Sequence, residues 1–252
     1  MVNLLAIDVG NTQAKLVRYR ASGDRIERVA SRSVANDCDW LAELGTEKSL
    51  DRIAIGSVVA GVGETILAAA SEFPGQIDAT NFGPTALGLD VRCDPATSVG
   101  VDRVAAVLGA AKTFGSPVIT VDFGTAITID AGSDAVFLGG LILPGPSMMF
   151  RAMHDYTSAL PLLEWETGDT SPLRLGRSTD AAMQAGVRSL VIHGVAVAAA
   201  ALRDEVAREL ECSTGKIRIV RTGGAVVPFG MGEDVLNDAV TRGLAFACLA
   251  QP

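Results

Sequence analysis

The chain has 252 residues, 48% of them hydrophobic and 20% charged, and its 21 basic and 29 acidic side chains leave a formal net charge of −8. It is long enough to bury one large core or two modest ones, and too apolar to stay disordered. The acidic balance argues against a surface that tracks nucleic acid or anionic lipid, and four cysteines without a CxxC pair, beside two histidines, argue against a zinc cage or a disulfide framework.

Met1 to Asp8 carries no basic region and meets an acid early, so it does not read as a signal peptide. Leu4-Leu5-Ala6-Ile7 is an unbroken apolar run of the kind found in a buried strand, and it leads into Asp8-Val9-Gly10-Asn11-Thr12. From Ala14 the pattern alternates, then turns at Ser22-Gly23-Asp24 and resumes at Ile26 and Val29. Strand, polar loop, strand, turn, strand is the expectation. Helices are predicted at Trp40 to Leu50, Gly63 to Glu72 and Arg103 to Phe114, with a strand at Arg52 to Val59. The opening pattern then recurs: Val118 to Val121 leads into Asp122-Phe123-Gly124-Thr125-Ala126, a second strand at Ile127 to Ile129, a turn at Gly132-Ser133-Asp134 and a third strand at Val136 to Leu138.

A repeat this long is two similar lobes in tandem, not a solenoid. Gly115-Ser116-Pro117 marks the boundary, giving lobes 1–115 and 116–252. The second lobe is expected to hold a helix at Ser147 to Ser158, an irregular loop from Pro161 to Gly176, and a long helix from Thr179 to Glu211. A strand at Lys216 to Arg221 and a last helix from Glu233 to Leu249 follow. The longest apolar stretch, Leu190 to Leu202, is shorter than a bilayer span. The long helix is expected to be buried against its own sheet or a partner subunit, with His193 packed in the core.

The recurring Asp-x-Gly turn suits a nucleotide site. Gly10 and Gly124 let backbone approach a phosphate and can adopt positive φ; backbone N–H groups and the hydroxyls of Thr12 and Thr125 can donate to phosphate oxygens. Asp8 and Asp122 can hold a cation directly or through water. One copy alone reads more simply as a β-turn with an Asx bond, and the duplication favours the functional reading. Thr222-Gly223-Gly224-Ala225, after an apolar strand, offers bare backbone to a nucleoside or makes a tight turn. Gly61-Val62-Gly63 lacks the third glycine of a dinucleotide fingerprint, because residue 66 is Ile66. Asp102 in Gly100-Val101-Asp102-Arg103 is either a helix N-cap or a general base, with Arg103 as its anion-binding neighbour. Leu138 to Pro146 reads as an apolar strand with two glycine-bearing turns, and Ser178 or Thr179 as an N-cap or a hydroxyl offered to substrate.

Together these segments resemble, in order and spacing, the type III pantothenate kinases, over nearly the whole chain. The resemblance implies an α/β fold of two ribonuclease H-like lobes, as in the actin, hexokinase and heat-shock ATPase superfamily, with a nucleotide cleft between them. It implies a cytoplasmic homodimer that phosphorylates the primary hydroxyl of pantothenate to 4'-phosphopantothenate, the first step of coenzyme A synthesis. The cofactors implied are ATP with Mg2+ or another divalent cation, and a monovalent cation, K+ or NH4+; no nucleic acid or membrane partner is expected. Residue by residue it implies Asp102 as catalytic base; Asp8, Val9, Gly10, Asn11, Thr12, Gln13, Ala14 and Lys15, with Thr125, Gly223 and Gly224, as ATP contacts; and Gly100, Val101, Asp102, Arg103 and Thr179 around pantothenate. Thr179 is expected from the partner subunit. Asp122 would hold the monovalent cation and Asp8 the divalent one, directly or through water. Three positions depart from the pattern: Gln13-Ala14-Lys15 continues the first loop unusually, Ile127 stands where a second Thr often follows, and Cys93 stands where a substrate-contacting Tyr is expected. Two rival readings keep the fold: a nucleotide-binding accessory protein without catalysis, and a kinase or phosphohydrolase for another small acceptor.

Overall fold

An apolar run such as Leu4 to Ile7 can be covered on both faces only in the middle of a sheet, and the chain puts it there. The computed structural model describes residues 1–23, 25–47, 49–73, 77–166, 173–224 and 230–251. In it β1 (Val2–Val9) pairs antiparallel with β2 (Ala14–Ser22), and β2 with β3 (Arg25–Val34). After α1 (Trp40–Gly45), β4 (Arg52–Ser57) lies parallel to β1 on its other side; after α2 (Val62–Ser71), β5 (Asp78–Phe82) lies parallel to β4. The order is β3-β2-β1-β4-β5. β3, an edge strand bearing Arg25, Glu27, Arg28 and Arg32, is mostly exposed, and its charges discourage pairing with another chain.

The chain then runs through β6 (Asp90–Val91), α3 (Val101–Phe114), β7 (Val118–Phe123), β8 (Ala126–Gly132), β9 (Val136–Pro144), α4 (Pro146–Asp155), α5 (Thr179–Ser189), α6 (Val195–Glu209), β10 (Arg218–Gly223), β11 (Asp234–Val235) and α7 (Ala239–Leu249). In the second sheet the order β9-β8-β7-β10-β11 repeats that of the first, strand for strand. The recurrence in sequence is thus a recurrence in structure, and the ribonuclease H-like arrangement that the resemblance implies is present twice.

Two compact units result, and they do not follow a single cut at residue 115. The first holds Met1–Gly115, Ser133–Leu138 and the chain from Asp238 onward; the second holds Ser116–Gly132 and Gly139–Asn237. The C-terminal helix α7, which the sequence placed in the second lobe, joins the first unit for two reasons. Its backbone touches that of α3: a Cβ on Gly109 would stand 2.1 Å from the Ala239 carbonyl oxygen, and one on Gly243 1.9 Å from that of Ala105. Beneath it, the buried Tyr19 hydroxyl donates to Asp238 Oδ2 at 2.9 Å and lies 2.9 Å from Thr241 Oγ1, while Arg242 pairs with Asp238 at 3.1 Å. Burial, reinforced by the Asp238 charge, pushes the Tyr19 hydroxyl far above its ordinary pKa.

In the second unit α5, a five-residue π-helical stretch at Leu190–Gly194 and α6 form one continuous helix, Thr179–Glu209. Most of its apolar stretch is not covered by its own chain, with Leu190 59% and Val197 71% exposed, which removes burial against its own sheet as the explanation; His193, expected in the core, is exposed as well. By length and composition this helix could cross a membrane. The predicted last helix from Glu233 starts later, because residues 234–235 form β11 beside β10. β5 and β6 were not foreseen. Of the predicted loop, Gly168, Asp169 and Pro172 lie outside the described residues, as do Asp24 and Ala225.

Candidate active site

Asp8 sits at the carboxyl end of β1, opposite Lys15 on β2 and level with Gly56 on β4. Parallel β1 and β4 thus deliver it to the strand-end rim where open α/β sheets bind ligands. Beyond it the loop Gly10 to Gln13 is closed by the Gly10 N–H donating to the Gln13 carbonyl at 3.1 Å; Asn11, Thr12 and Gln13 are exposed while Ala14 is buried. Val9, also buried, accepts from the Val58 N–H at 3.1 Å, which ties β1 to the chain leaving β4. Asn36 Nδ2 donates to the Gly10 carbonyl at 2.7 Å. Gly10 does not adopt positive φ, and a Cβ there would meet only the Gln13 carbonyl at 3.5 Å. Its bareness is not required by the fold of the turn.

At the same rim stands the start of α3. A Cβ on Gly56 would meet Val101 Cγ1 at 3.4 Å, and one on Gly100 would meet Val58 Cγ1 at 3.7 Å, so the helix begins beside the end of β4. Gly100, not Asp102, is the N-cap. Asp102 lies one step inside the helix, and its Oδ1 accepts from the Arg103 N–H at 2.9 Å. This carboxylate folds back over Gly100, where a Cβ would stand 2.3 Å from Oδ1. Burial raises the Asp102 pKa above the ordinary carboxylate value, against the pull of the Arg103 N–H and guanidinium. A carboxylate so placed is a stronger proton acceptor than one in water. The Arg103 guanidinium lies 5.8 Å above the ring of Phe137, which is fully buried. Pairing of β6 with the start of β9, Val91 opposite Phe137, sets that ring in place.

In the second unit Asp122 lies one residue before the end of β7, opposite Thr128 on β8 and level with Thr222 on β10. Gly124 donates its N–H to the Ala126 carbonyl at 3.1 Å, and like Gly10 it lacks positive φ. Asp and Gly recur in register between the two turns, but the hydroxyls do not: Thr125 corresponds to Asn11, not to Thr12. Gly145 backs this turn. Its N–H donates to the Thr125 carbonyl at 3.2 Å, and a Cβ on it would stand 2.2 Å from that oxygen and 2.8 Å from the Gly124 oxygen. Gly223, with φ 97°, passes so close that a Cβ would meet Asp122 Oδ1 at 2.5 Å, whereas Gly224 is open. Gly223 requires glycine on both counts. Gly139 and Gly140 are strand residues of β9 and not the turn expected there; a Cβ on Gly140 would stand 2.1 Å from the Ile129 carbonyl oxygen.

Ser178 caps α5, its hydroxyl accepting from the Ala181 N–H at 3.2 Å, which leaves Thr179 on the exposed first turn of the helix. Cys93 is a half-buried free thiol in the first unit. Asn36 escaped the sequence reading, which took Phe137 only as a strand residue and Gly145 only as part of a glycine-bearing turn, because each acts on a motif far from it in the chain. Among the described residues no three His, Cys, Asp or Glu side chains converge. Single carboxylates at strand ends suit Mg2+ carried on a nucleotide's phosphates, which keeps most of its waters, better than a metal caged by protein alone.

A family model described as type III pantothenate kinase matches residues 4–201. A type III pantothenate kinase of Kosmotoga olearia is 30% identical, over 97% of this chain and 95% of the relative. One of Streptomyces coelicolor is also 30% identical, over 93% of this chain and 91% of the relative. Among solved structures, a Campylobacter jejuni protein proposed to be a Baf family transcriptional activator superposes with a TM-score of 0.56 at 20% identity, covering 96% of each chain. A Listeria monocytogenes protein proposed to be an N-acetylmannosamine kinase superposes at 0.53 and 13% identity, covering 98% of this chain and 99% of the other. At such identities these two establish the fold alone.

Proposed function

The chain belongs to the type III pantothenate kinase family and is a phosphotransferase acting on pantothenate in coenzyme A synthesis, and we propose that it moves the γ-phosphoryl of ATP to the primary hydroxyl of pantothenate with Asp102 as general base. One observation carries this assignment: Asp102 is a largely buried carboxylate of raised pKa on the same strand-end rim as Asp8. The hydroxyl oxygen attacks the γ-phosphorus, the bond to ADP breaks, and the hydroxyl proton passes to Asp102. Arg103 binds the pantothenate carboxylate, steadied by Phe137, with Gly100 and Val101 shaping the floor.

The loop Asp8 to Lys15 contacts the triphosphate in this reading, with Thr125 as a second phosphate contact and Gly223 and Gly224 beside the nucleoside. Asp8 would hold Mg2+, directly or through water, and the ion would supply positive charge to offset the negative charge developing on the phosphates. Asp122 would hold K+ or NH4+, its Oδ1 lying over the bare backbone of Gly223. The exposed apolar residues of helix Thr179–Glu209 support a homodimer in which Thr179 serves the partner's pantothenate site, and a cytoplasmic location with this face against protein and not lipid.

A panel of small alcohols with ATP tests the assignment. Pantothenate alone should give ADP together with a phosphorylated product; ADP formed equally without acceptor, or better with another alcohol, would reject it. Omitting K+ and NH4+ should lower the rate in the native chain and not in Asp122→Asn. Light scattering should give a dimer mass, lowered to the monomer by Val197→Glu.

A further inference from the structure

One of the bonds that hold the loop Gly10 to Gln13 comes from outside the strands it joins. Asn36, in the segment between β3 and α1, places its amide 2.7 Å from the Gly10 carbonyl oxygen. A carbonyl only accepts, so the atom facing it is the donor Nδ2, and Oδ1 is then the other amide atom. That Oδ1 is buried and, among the described residues, has no hydrogen-bond partner. A buried acceptor left unsatisfied is costly, and it persists where the rest of the side chain is needed in that position.

The Gly10–Asn11 peptide is trans and planar, so its C=O and N–H point to opposite sides. Fixing the carbonyl against Asn36 therefore fixes the Asn11 N–H on the far side of the loop. The Gly10 N–H is already used within the loop, on the Gln13 carbonyl. We infer that Asn36 is a positioning residue for phosphoryl transfer: by holding the Gly10 carbonyl it aims the Asn11 N–H at a nucleotide phosphate. The inference rests on the reading of Asp8 to Lys15 as the phosphate loop. It concerns the nucleotide and not pantothenate, since the bond acts on this loop alone.

Steady-state kinetics of the full chain, with each substrate varied in turn, test it on Asn36→Ala and Asn36→Asp, with the exposed neighbour Asp37→Asn as control. Loss of one well-made hydrogen bond predicts that Asn36→Ala raises the KM for ATP roughly 5- to 30-fold. The KM for pantothenate should stay within about twofold. Asn36→Asp should do at least as much harm, because a carboxylate oxygen would then face the Gly10 oxygen. Asp37→Asn should match the native chain. An unchanged KM for ATP in both Asn36 variants overturns the inference. So does a loss shared equally by both substrates that follows a lowered Tm, the mark of an amide that merely holds the fold. A native chain that consumes no ATP with pantothenate takes down the phosphate-loop reading and this inference with it; an active native chain with indifferent variants takes down the inference alone.

Discussion

The turn after β1 and the turn after β7 leave their strands with the same Asp-x-Gly, yet the first takes four residues before its partner strand resumes and the second takes two. Their supports differ as well. The first is held by a side chain, Asn36, on a glycine whose Cβ position has room; the second is backed by bare backbone at Gly145 and Gly223, where any Cβ would collide. A motif can thus be duplicated while its scaffolding is rebuilt from different parts. The roomy glycine is the more telling one, because nothing in the fold demands it.

Two variants test that contrast, and two others set the scale on either side of it. The largest effect should come from neither turn but from the base beside the first. Asp102→Asn should cut turnover by roughly 10² to 10⁴ while leaving nucleotide affinity nearly intact. Its stability should move the other way. A carboxyl whose folded pKa is raised above its unfolded one favours folding only while protonated, and that contribution is lost as pH rises through the folded value. Once ionised, Asp102 is a cost to folding, so above its folded pKa the variant should melt at the same or a higher temperature. The acid limb of the native pH–rate profile should lie above the range of an ordinary aspartate, with activity falling as pH drops through the raised pKa.

Next in size, Gly145→Ala should destabilise the second unit by about 1–3 kcal/mol, as a methyl is forced against two carbonyl oxygens. Thermal melting checks this. Gly10→Ala makes the comparison sharp: its Tm should be unchanged, so any rise in the KM for ATP reports a phosphate close to that Cα. Smallest, Phe137→Leu should raise the KM for pantothenate roughly 2- to 10-fold through the lost ring beneath Arg103, with kcat little altered. An equal fall in kcat would point to core damage instead.

The parts of this molecule that are local were legible in its sequence. Leu4 to Ile7 reads as a buried strand, the recurrence at Val118 reads as a second lobe, and Ser178 or Thr179 reads as a cap, because each signal lies within a few residues of its effect. What escaped is set by contacts distant in the chain. The docking of α7 on the first unit depends on Gly109, Gly243 and the buried Tyr19–Asp238 pair, which have no shared pattern along the sequence. β6 is two residues long, too short for any periodicity, yet it positions Phe137. His193 was misplaced because an apolar helix looks the same in sequence whether its own chain covers it or not.

Calorimetric titration of a non-hydrolysable ATP analogue with Mg2+ tests most directly the reading of Asp8 to Lys15 as the phosphate loop. The native chain should bind the analogue, and Asp8→Asn and Gly10→Ala should each weaken that binding. An affinity untouched by either substitution would contradict the reading.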